Sequence, residues 1–409
     1  MHILEIPSFF PPYGGLFCLD QSKALAALGH DVRIIANVQL SVRRSVADFL
    51  SARTSISEQT MDGITVWRKE MRGLPRSVRF NVRHWVNNVR TMFARYVKTY
   101  GVPDIIHAHC AKWAGYAAML IARDYNLPYV ITEHLSSMLY LQEFGPPRAD
   151  NTAVGLWQVP LLRRALKEAA MVVPVSAELV DDLAPYFGRD YQFTPLSNII
   201  DTEFFACRQP DGKHGHLFTF CALAINIPLK AYDILIPAFL IFAARHPASQ
   251  LLIAGRDTEK LNVRELAKSL LIDGNGSDTA VGMFLTDHPD GNIHIFGEVD
   301  KYGVRDILYQ SDCLVLASRC EAQGLVLLEA MSTGIRTITT EAAPRNVRIE
   351  GGCTVVPVDD VTALAEAMEA VYATPFSGGE ALSERVSAVC SPRAVGLKLE
   401  KILTDAQRR

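Results

Sequence analysis

Hydrophobic positions along the chain form two alternating patterns. Short runs rich in Val, Ile and Leu are separated by longer segments with a helical period, which is typical of βαβ units with parallel strands. The first half contains six predicted strands, HILEIP, VRIIAN, ITVWR, DIIHAH, YVITEH and MVVPVS. The second half contains LFTFCALA, QLLIAG, NIHIFG, CLVLAS, RTITT and CTVVPV. Two such sets predict two doubly wound α/β sheets rather than one (β/α)₈ barrel, which would have eight strands in a single closed series.

The predicted boundary between the two sheets is segment 198–216, which is rich in Pro, Gly and polar residues. We therefore expect a first domain over residues 1–200 and a second over residues 201–390. A C-terminal helix at about 391–409 is a candidate to pack back on the first domain. The length of 409 residues agrees with this division, because a single hydrophobic core rarely grows beyond about 300 residues.

Composition places the chain among folded globular proteins, with 49% hydrophobic and 21% charged residues. The longest uncharged apolar stretch, Ile234 to Ala244, is shorter than the roughly 20 residues of a membrane-spanning helix and predicts a buried helix instead.

The first residues show no signal-peptide pattern, so we expect a cytoplasmic protein. The eight cysteines include no C-x-x-C pair, which argues against a zinc site or a thioredoxin-like motif.

Charge is distributed unevenly behind a formal net charge of −3. Residues 1–200 hold 21 Lys and Arg against 17 Asp and Glu, and the remainder holds 20 against 27. Much of the basic excess lies in residues 76–98, which contain no acidic residue and fit an amphipathic helix. At about 100° per residue its basic side has four arginines and an aromatic residue, and its apolar side is expected to pack on the sheet. The members of the basic side are Arg76, Arg79, Phe80, Arg83 and Arg90; those of the apolar side are Val78, Val82, Trp85, Val89, Met92 and Tyr96.

This basic side has two interpretations of equal weight. It can bind an anionic membrane surface or a lipid diphosphate acceptor, or it can be a solvated helix face. Nucleic acid is disfavoured as a partner, because the sequence pI is about 6.4 and no nucleic-acid-binding motif is present.

Two loops that follow strands contain candidate chemistry. In PPYGG, Gly14 and Gly15 allow a ligand to approach the backbone at a helix start, where free N–H groups favour phosphate, although a structural turn explains them equally well. In SRCEAQGLVLLEAMSTG, Glu321 can accept hydrogen bonds from sugar hydroxyls and Gly324 precedes a predicted helix. Glu329 falls inside the apolar run of that helix, where a carboxylate needs partners. On these residues alone, an exposed helix glutamate is the simpler explanation.

The segment from Glu321 to Glu329, with its E-x₇-E spacing and the following EAMSTG, resembles the signature of retaining glycosyltransferases of family four, which have the GT-B fold. The resemblance extends over almost the whole chain: PPYGG with LGHDV, PDIIHAH, ITEH, VSAELVDDL and LSNIIDTEFF occur in the family's order. It implies two Rossmann-like domains that face each other across a cleft. It also implies retaining transfer of a sugar from a nucleotide diphosphate sugar, UDP- or GDP-linked, to a hydroxyl acceptor.

The resemblance also implies roles for individual residues. His134, at the end of ITEH, would lie beside the anomeric centre, Glu321 would hold the sugar hydroxyls, and Lys230 would neutralise the donor diphosphate. His107 and His109, near the end of the strand DIIHAH, are assigned structural or acceptor-side roles. The residues expected to bind the donor are Gly14, Gly15, Gly255, Val299, Gly324, Leu325, Val326 and Glu329.

The sequence departs from the family pattern at the donor diphosphate. An arginine usually precedes the lysine by five or six residues, and those positions are Ile225 and Ala224 here, so Arg256 or Arg319 would have to compensate. A second departure is TTEAAPRNV, where the family has Gly-Gly and a glutamate.

No Asp-x-Asp follows a strand end, so we expect a metal-independent enzyme without a cofactor. We expect it to act in polysaccharide or glycolipid assembly on a saccharide or lipid-linked acceptor, peripherally at the inner face of the cytoplasmic membrane. Two alternatives remain: a nucleotide-sugar 2-epimerase and a degenerate nucleotide-binding subunit without turnover. The sequence does not predict the sugar, the base or the oligomeric state.

Overall fold

Two sheets organise the chain, and each belongs to its own compact unit. The first unit comprises Met1–Ile199 and Pro392–Arg409, and the second comprises Ile200–Ser391. The structure, a computed structural model, describes residues 1–147, 156–208, 217–272 and 277–408. Residues 209–216 of the predicted linker therefore lie outside the described part.

The sheet of the first unit has the strand order β3-β4-β2-β1-β5-β6-β7. All neighbouring strands pair in parallel except β3 and β4, which are antiparallel. The six predicted strands are present, and β3 is an addition at the edge of the sheet, formed by the polar segment SEQTM. The strands are β1 (His2–Pro7), β2 (Asp31–Leu40), β3 (Ser57–Met61), β4 (Ile64–Arg72), β5 (Ile105–His109), β6 (Tyr129–Glu133) and β7 (Met171–Pro174).

Helices connect these strands in the expected alternation. The longest, α3, runs through the basic segment, and its apolar side buries Trp85, Val89, Met92 and Tyr96. The helices are α1 (Leu16–Ala27), α2 (Val46–Leu50), α3 (Val78–Tyr100), α4 (Tyr116–Tyr125), α5 (Ser137–Phe144), α6 (Val159–Glu168) and α7 (Glu178–Phe187).

The sheet of the second unit is parallel throughout, with the strand order β10-β9-β8-β11-β12-β13. Its strands are β8 (Phe218–Leu223), β9 (Ser249–Ala254), β10 (Ile293–Ile295), β11 (Cys313–Leu316), β12 (Arg336–Thr340) and β13 (Cys353–Val356). Its helices are α8 (Tyr232–Ala243), α9 (Val263–Ile272), α10 (Ser277–Asp287), α11 (Lys301–Gln310), α12 (Leu325–Ser332), α13 (Val361–Ala373) and α14 (Gly379–Cys390). The apolar stretch that begins at Ile234 lies in α8, whose Phe239 and Phe242 are buried in the core of this unit, so the prediction of a buried helix is confirmed.

The last helix, α15 (Pro392–Gln407), packs on the first unit. Val395, Leu399 and Leu403 are fully buried in one cluster with Ile3 of β1 and Leu25 of α1. Residues from both ends of the sequence thus complete the same hydrophobic core. None of the helices in the described part of the chain has both the length and the hydrophobicity that a membrane-spanning segment needs.

Candidate active site

Several predicted site residues of the second unit lie in loops at one edge of its sheet. Lys230 follows β8, Gly255 follows β9, and Glu321 and Gly324 follow β11. These strands are parallel, so their carboxyl ends meet at the same edge, which is where doubly wound sheets bind ligands.

Lys230 and Glu321 form an ion pair through Nζ and Oε1. Ser318 Oγ donates a hydrogen bond to the same Glu321 oxygen at 2.7 Å. The side chains of Lys230 and Glu321 are 20% and 9% exposed, so the pair is screened from bulk water more than a surface ion pair is. The structure therefore brings together the predicted phosphate-binding cation and the predicted sugar-binding carboxylate.

Helix α12 begins directly after this pair. Gly324 precedes the helix with φ +80°, a left-handed conformation that glycine adopts without steric cost. Leu325 and Val326 occupy the first turn, where backbone N–H groups have no partner inside the helix and the helix dipole favours negative charge. This helix start has the chemistry to receive phosphate oxygens.

Glu329 is the fifth residue of α12 and is only partly exposed. Burial raises the pKa of its carboxyl from 4.5 to about 7. Among the described residues, no side chain or backbone group forms a hydrogen bond or ion pair with this carboxylate. A poorly solvated carboxylate that lacks a partner gains from a hydroxyl ligand, which corrects the simpler interpretation of an exposed helix residue.

Arg319 cannot supply the missing cation without losing its own partners. Its guanidinium pairs with Asp233 and Asp359 and donates to the carbonyl oxygen of Pro228. Asp359 is accordingly a salt-bridge partner of Arg319.

Arg256 is exposed and has no ion-pair or side-chain hydrogen-bond partner among the described residues. Its carbonyl oxygen accepts the N–H of Asn226 at 2.9 Å, so it lies beside the positions where the family arginine is absent. The preceding Gly255 has φ +146°, and a Cβ there would lie 2.0 Å from the carbonyl oxygen of Ala224. Gly255 thus permits the close approach of the two loops. Val299 is half-buried in the loop after β10, against Gly303.

In the first unit the predicted glycine loop leads into α1. Gly15 has φ +82°, and a Cβ on it would lie 2.0 Å from the carbonyl oxygen of Phe9. Gly14 has φ +96°, and a Cβ there would meet nothing within 4 Å. Gly15 is therefore required by packing as well as by conformation, whereas Gly14 faces open space.

His134 lies at the end of a buried polar cluster. Glu5 of β1 contacts His107 and His109 of β5, with Oε2 at 2.9 Å from His107 Nδ1 and 2.8 Å from His109 Nε2. His107 Nε2 is 2.7 Å from Thr132 Oγ1, and His109 Nδ1 is 3.2 Å from His134 Nε2. The side chains of Glu5, His107 and His109 are inaccessible to solvent.

Burial by itself would raise the pKa of Glu5, but the charge of His107 and hydrogen bonds from both histidines lower it to about 2. Burial, together with the neighbouring His107, lowers the pKa of His109 to about 4. Burial also lowers the pKa of His134 well below its ordinary value, and His109 and His107 add to that effect. The cluster therefore contains an ionised Glu5 beside a neutral His109 and a neutral His134 at neutral pH.

Glu133 fixes the backbone that presents His134. Its carboxylate accepts N–H groups from Ala111, His134 and Leu135 at 2.8–2.9 Å and the hydroxyl of Tyr140 at 3.2 Å. The ring of Phe17 stacks on His134, with 3.7 Å between centroids. Neither ring nitrogen of His134 faces solvent: Nε2 contacts His109, and Nδ1 is buried.

The ligating atoms of Glu5, His107 and His109 lie within 4.8 Å of one another, a spacing that metal sites also show. In the structure each of these atoms has a hydrogen-bond partner in the cluster, and no side of the group is open to water. The arrangement fits a hydrogen-bonded chain better than a metal centre.

The basic side of α3 is exposed at Arg79, Phe80 and Arg83, and Phe80 is 52% exposed. Two details of the sequence prediction are wrong. Arg76 lies in the turn before the helix, with φ +60°, and Val78, the first residue of α3, is exposed. Arg90 pairs with Asp124, at 2.7 Å.

Beside this surface, a cavity of about 440 Å³ is lined by apolar side chains and by Arg79, Arg83, Asn87, Tyr116 and Trp157. The Arg79 guanidinium lies over the Trp157 ring, 5.3 Å from its centroid. The cavity thus combines apolar walls with cationic groups.

Sequence reasoning missed Glu5 and Phe17. Glu5 had a detectable signal, because a carboxylate in the apolar strand HILEIP needs a buried partner and DIIHAH offers two histidines. Phe17 had none, because an aromatic residue in the first turn of a helix is ordinary core composition.

Comparison with known proteins agrees with the fold. Residues 15–198 match the model of a glycosyl transferase 4-like domain, and residues 215–374 match that of glycosyl transferases group 1. The glycosyltransferase TuaC of Bacillus subtilis, named for teichuronic acid biosynthesis, is 24% identical over 83% of this chain and 81% of its own.

Two solved structures share the fold. Sucrose-phosphate synthase from Thermosynechococcus elongatus has a TM-score of 0.70 and 17% identity, covering 98% of each chain. Anabaena HepE in complex with UDP has a TM-score of 0.66 and 15% identity, covering 99% of this chain and 100% of its own. The two family models match consecutive halves of the sequence. The chain therefore belongs to the glycosyltransferases that resemble family four, in which a glycosyl transferase 4-like domain is followed by a group 1 domain in the GT-B fold.

Proposed function

We propose that this glycosyltransferase moves a sugar, with retention of anomeric configuration and without a metal ion, from a UDP-sugar to a hydroxyl of a growing polysaccharide or lipid-linked saccharide. The observation that supports it best is the grouping of Lys230, Glu321 and Glu329 around the start of α12. TuaC supports the polysaccharide context by its name, and the HepE complex supports UDP.

In the proposed reaction the bond from the anomeric carbon to the diphosphate oxygen breaks, and a bond to the acceptor oxygen forms on the same face. The acceptor proton passes to the departing diphosphate. Lys230 stabilises the charge that develops on that leaving group, as do the free amides of Leu325 and Val326. Because Lys230 pairs with Glu321 in the structure, donor binding exchanges one anionic partner of Lys230 for another.

Glu321 would accept hydrogen bonds from the sugar hydroxyls, and Glu329 from the ribose hydroxyls. Glu329 has no competing partner among the described residues, and burial keeps its carboxylate poorly solvated. A ribose diol would satisfy it, and only its ionised form accepts with both oxygens.

Arg256 is the proposed second cation at the diphosphate. Arg319 is engaged by two aspartates, whereas Arg256 is unpaired among the described residues and adjoins the loop that leads to Lys230. Arg256→Gln should weaken UDP binding about tenfold and UMP binding much less, measured by calorimetry. Arg245, exposed at the far end of α8, gives a matched control in Arg245→Gln. Equal losses for UDP and UMP would remove Arg256 from the diphosphate.

Thermal-shift screening of UDP, GDP and ADP, followed by a transfer assay on the matching sugar nucleotides, tests the function itself. A chelator-treated enzyme should retain its rate, and the product anomer, determined by NMR, should match that of the donor. Nucleotide binding without turnover on any acceptor would favour the degenerate subunit, and interconversion of the donor sugar without an acceptor would favour the epimerase. A protein that no nucleotide stabilises would contradict the donor site.

The exposed face of α3 and the adjoining cavity are the proposed acceptor side. Arg79 and Arg83 would attract an anionic headgroup or lipid diphosphate, and the apolar walls would take part of a lipid chain. The full chain should sediment with phosphatidylglycerol vesicles and lose this binding in Arg79→Ala/Arg83→Ala. Arg163→Ala/Arg164→Ala on α6 is a charge-matched control. No sedimentation of the unaltered protein would leave a soluble saccharide as the acceptor class.

A further inference from the structure

A line of buried hydrogen bonds joins three neighbouring strands and ends at His134. It runs from Glu5 on β1 through His109 on β5 to His134 after β6. We propose that Glu5 is a positioning residue for His134: through His109 it holds the proton of His134 on Nε2 and leaves Nδ1 as a hydrogen-bond acceptor. The consequence for substrate recognition rests on the proposed function, whereas the proton placement does not.

The first step is the contact between Glu5 and His109. An ionised carboxylate only accepts hydrogen bonds, so the His109 Nε2 that lies 2.8 Å from Glu5 Oε2 must be protonated. Glu5 is fully buried, and its two histidine partners stabilise its charged form, as its lowered pKa also indicates. The sheet register that pairs Glu5 with His107 and places His109 two residues further on sets this geometry.

The second step is the contact between His109 and His134. A neutral imidazole has one donor and one acceptor nitrogen, so a His109 protonated on Nε2 has an acceptor at Nδ1. That Nδ1 is 3.2 Å from His134 Nε2, which must therefore donate. Burial keeps both rings neutral at physiological pH, so His134 retains an unprotonated Nδ1.

The hydrogen bonds of His107 do not fix the position of a proton on His134. His107 Nε2 meets the hydroxyl of Thr132, which can donate or accept. His107 therefore contacts the same Glu5 carboxylate as His109 but does not determine the tautomer of His134. This difference between the two histidines supplies a matched control.

The ring of His134 is fixed in orientation as well as in proton placement. Phe17 stacks on its face at an interplanar angle of 20°, and the side chain of Asn198 also interacts with the ring. Held in this tautomer, His134 has no ring proton to offer a phosphate oxygen, because its single N–H on Nε2 is donated to His109. Under the proposed function, the His134 ring therefore does not donate a hydrogen bond to the donor diphosphate.

Nitrogen-detected NMR of the full chain, labelled with ¹⁵N-histidine, tests the proton placement directly. The His134 signals are assigned by their loss in His134→Gln. At neutral pH we expect protonated Nε2 and unprotonated Nδ1 on His134. A His134 protonated on Nδ1, or doubly protonated, would overturn the proposal, as would a stoichiometric metal ion in the purified protein that replaces these hydrogen bonds.

Two near-isosteric variants test the role of Glu5. Glu5→Gln replaces one acceptor oxygen by a donor, so the His134 signals should shift towards a mixture of tautomers, whereas His107→Asn should leave the His134 tautomer unchanged. Unchanged His134 signals in a folded Glu5→Gln would overturn the proposal. If Glu5→Gln does not fold, the tautomer of His134 in the unaltered protein still tests the proposal.

Steady-state kinetics then distinguish a positioning role of Glu5 from a purely structural one. Glu5→Gln should lower kcat by about tenfold and leave the KM of the donor within about threefold, because the donor contacts lie elsewhere. An equal loss in His107→Asn would assign the effect to packing and overturn the positioning role. The NMR result needs no turnover, so a failure of the proposed transferase activity would be distinguishable from a failure of the hydrogen-bond chain.

Discussion

Lys230 and Glu321 lie 91 residues apart in the sequence and form an ion pair at the edge of the second sheet. The pair joins the loop after β8 to the loop after β11. Each partner orients the other in a partly buried site. The same contact places a cation where the start of α12 also favours negative charge.

Lys230→Ala should weaken UDP binding by about tenfold or more and lower kcat further, because the cation acts on charge that increases in the transition state. Calorimetry with UDP and steady-state kinetics measure the two effects. Lys268→Ala, which removes an exposed ion pair with Glu265 on α9, is the control. Equal UDP affinity in Lys230→Ala and the unaltered protein would contradict the assignment.

Glu329→Gln should have opposite effects on stability and on nucleotide binding. Burial raises the folded-state pKa of Glu329 to about 7, so ionisation costs folding free energy as pH rises from about 4.5 through 7. The variant should therefore gain about 2 kcal/mol over the unaltered protein at pH 8 and almost nothing at pH 4. It should also bind UDP more weakly, since the amide accepts with one oxygen only.

Urea unfolding at the two pH values and calorimetry with UDP test these expectations. Glu366→Gln, at an exposed position of α13, should change neither quantity. A pH-independent difference between Glu329→Gln and the unaltered protein would show that the carboxyl is well solvated.

The two glycines before α1 should respond differently to the same substitution. Gly14→Ala should cost about 1 kcal/mol of unfolding free energy, because only the positive φ is strained. Gly15→Ala should cost about 3 kcal/mol, because its Cβ also collides with the Phe9 carbonyl oxygen. Chemical denaturation compares them, and equal losses would mean that the loop relaxes away from Phe9.

Leu399→Ala should destabilise the first unit by about 3 kcal/mol, because Leu399 is fully buried between α15 and the sheet. Leu397→Ala, on the same helix but 45% exposed, should cost less than about 0.5 kcal/mol. Urea unfolding followed by Trp fluorescence reports on this unit, because Trp67, Trp85, Trp113 and Trp157 all lie in it. Similar losses in the two variants would show that α15 is loosely attached.

Strands with β-branched runs could be predicted, because a sheet covered on both faces requires apolar residues at successive positions. β3 could not, because its segment SEQTM is polar and pairs only along one edge of the sheet. Part of the candidate donor site could also be predicted, because Glu321, Gly324 and Glu329 lie within nine consecutive residues around the start of one helix.

Contacts between distant segments could not be predicted from residue types. Residue type alone makes Arg319 a candidate phosphate ligand, but in the structure it pairs with Asp233 and Asp359, which are 86 and 40 residues away. The start of α3 could not be predicted either, because the amphipathic helical period continues back to Arg76, where the chain instead forms a turn. Which groups neutralise each other depends on how the sheet order brings loops together.

The position of α15 also has a consequence for biosynthesis. Residues 392–408 complete the core around Ile3 and Leu25, yet the ribosome adds them only after the whole of the second unit. A nascent chain that has emerged as far as residue 200 therefore exposes the apolar groove that Leu399 and Leu403 later fill. The first unit therefore cannot complete its core before α15 is synthesised, and an incomplete core exposes the kind of hydrophobic surface that chaperones bind.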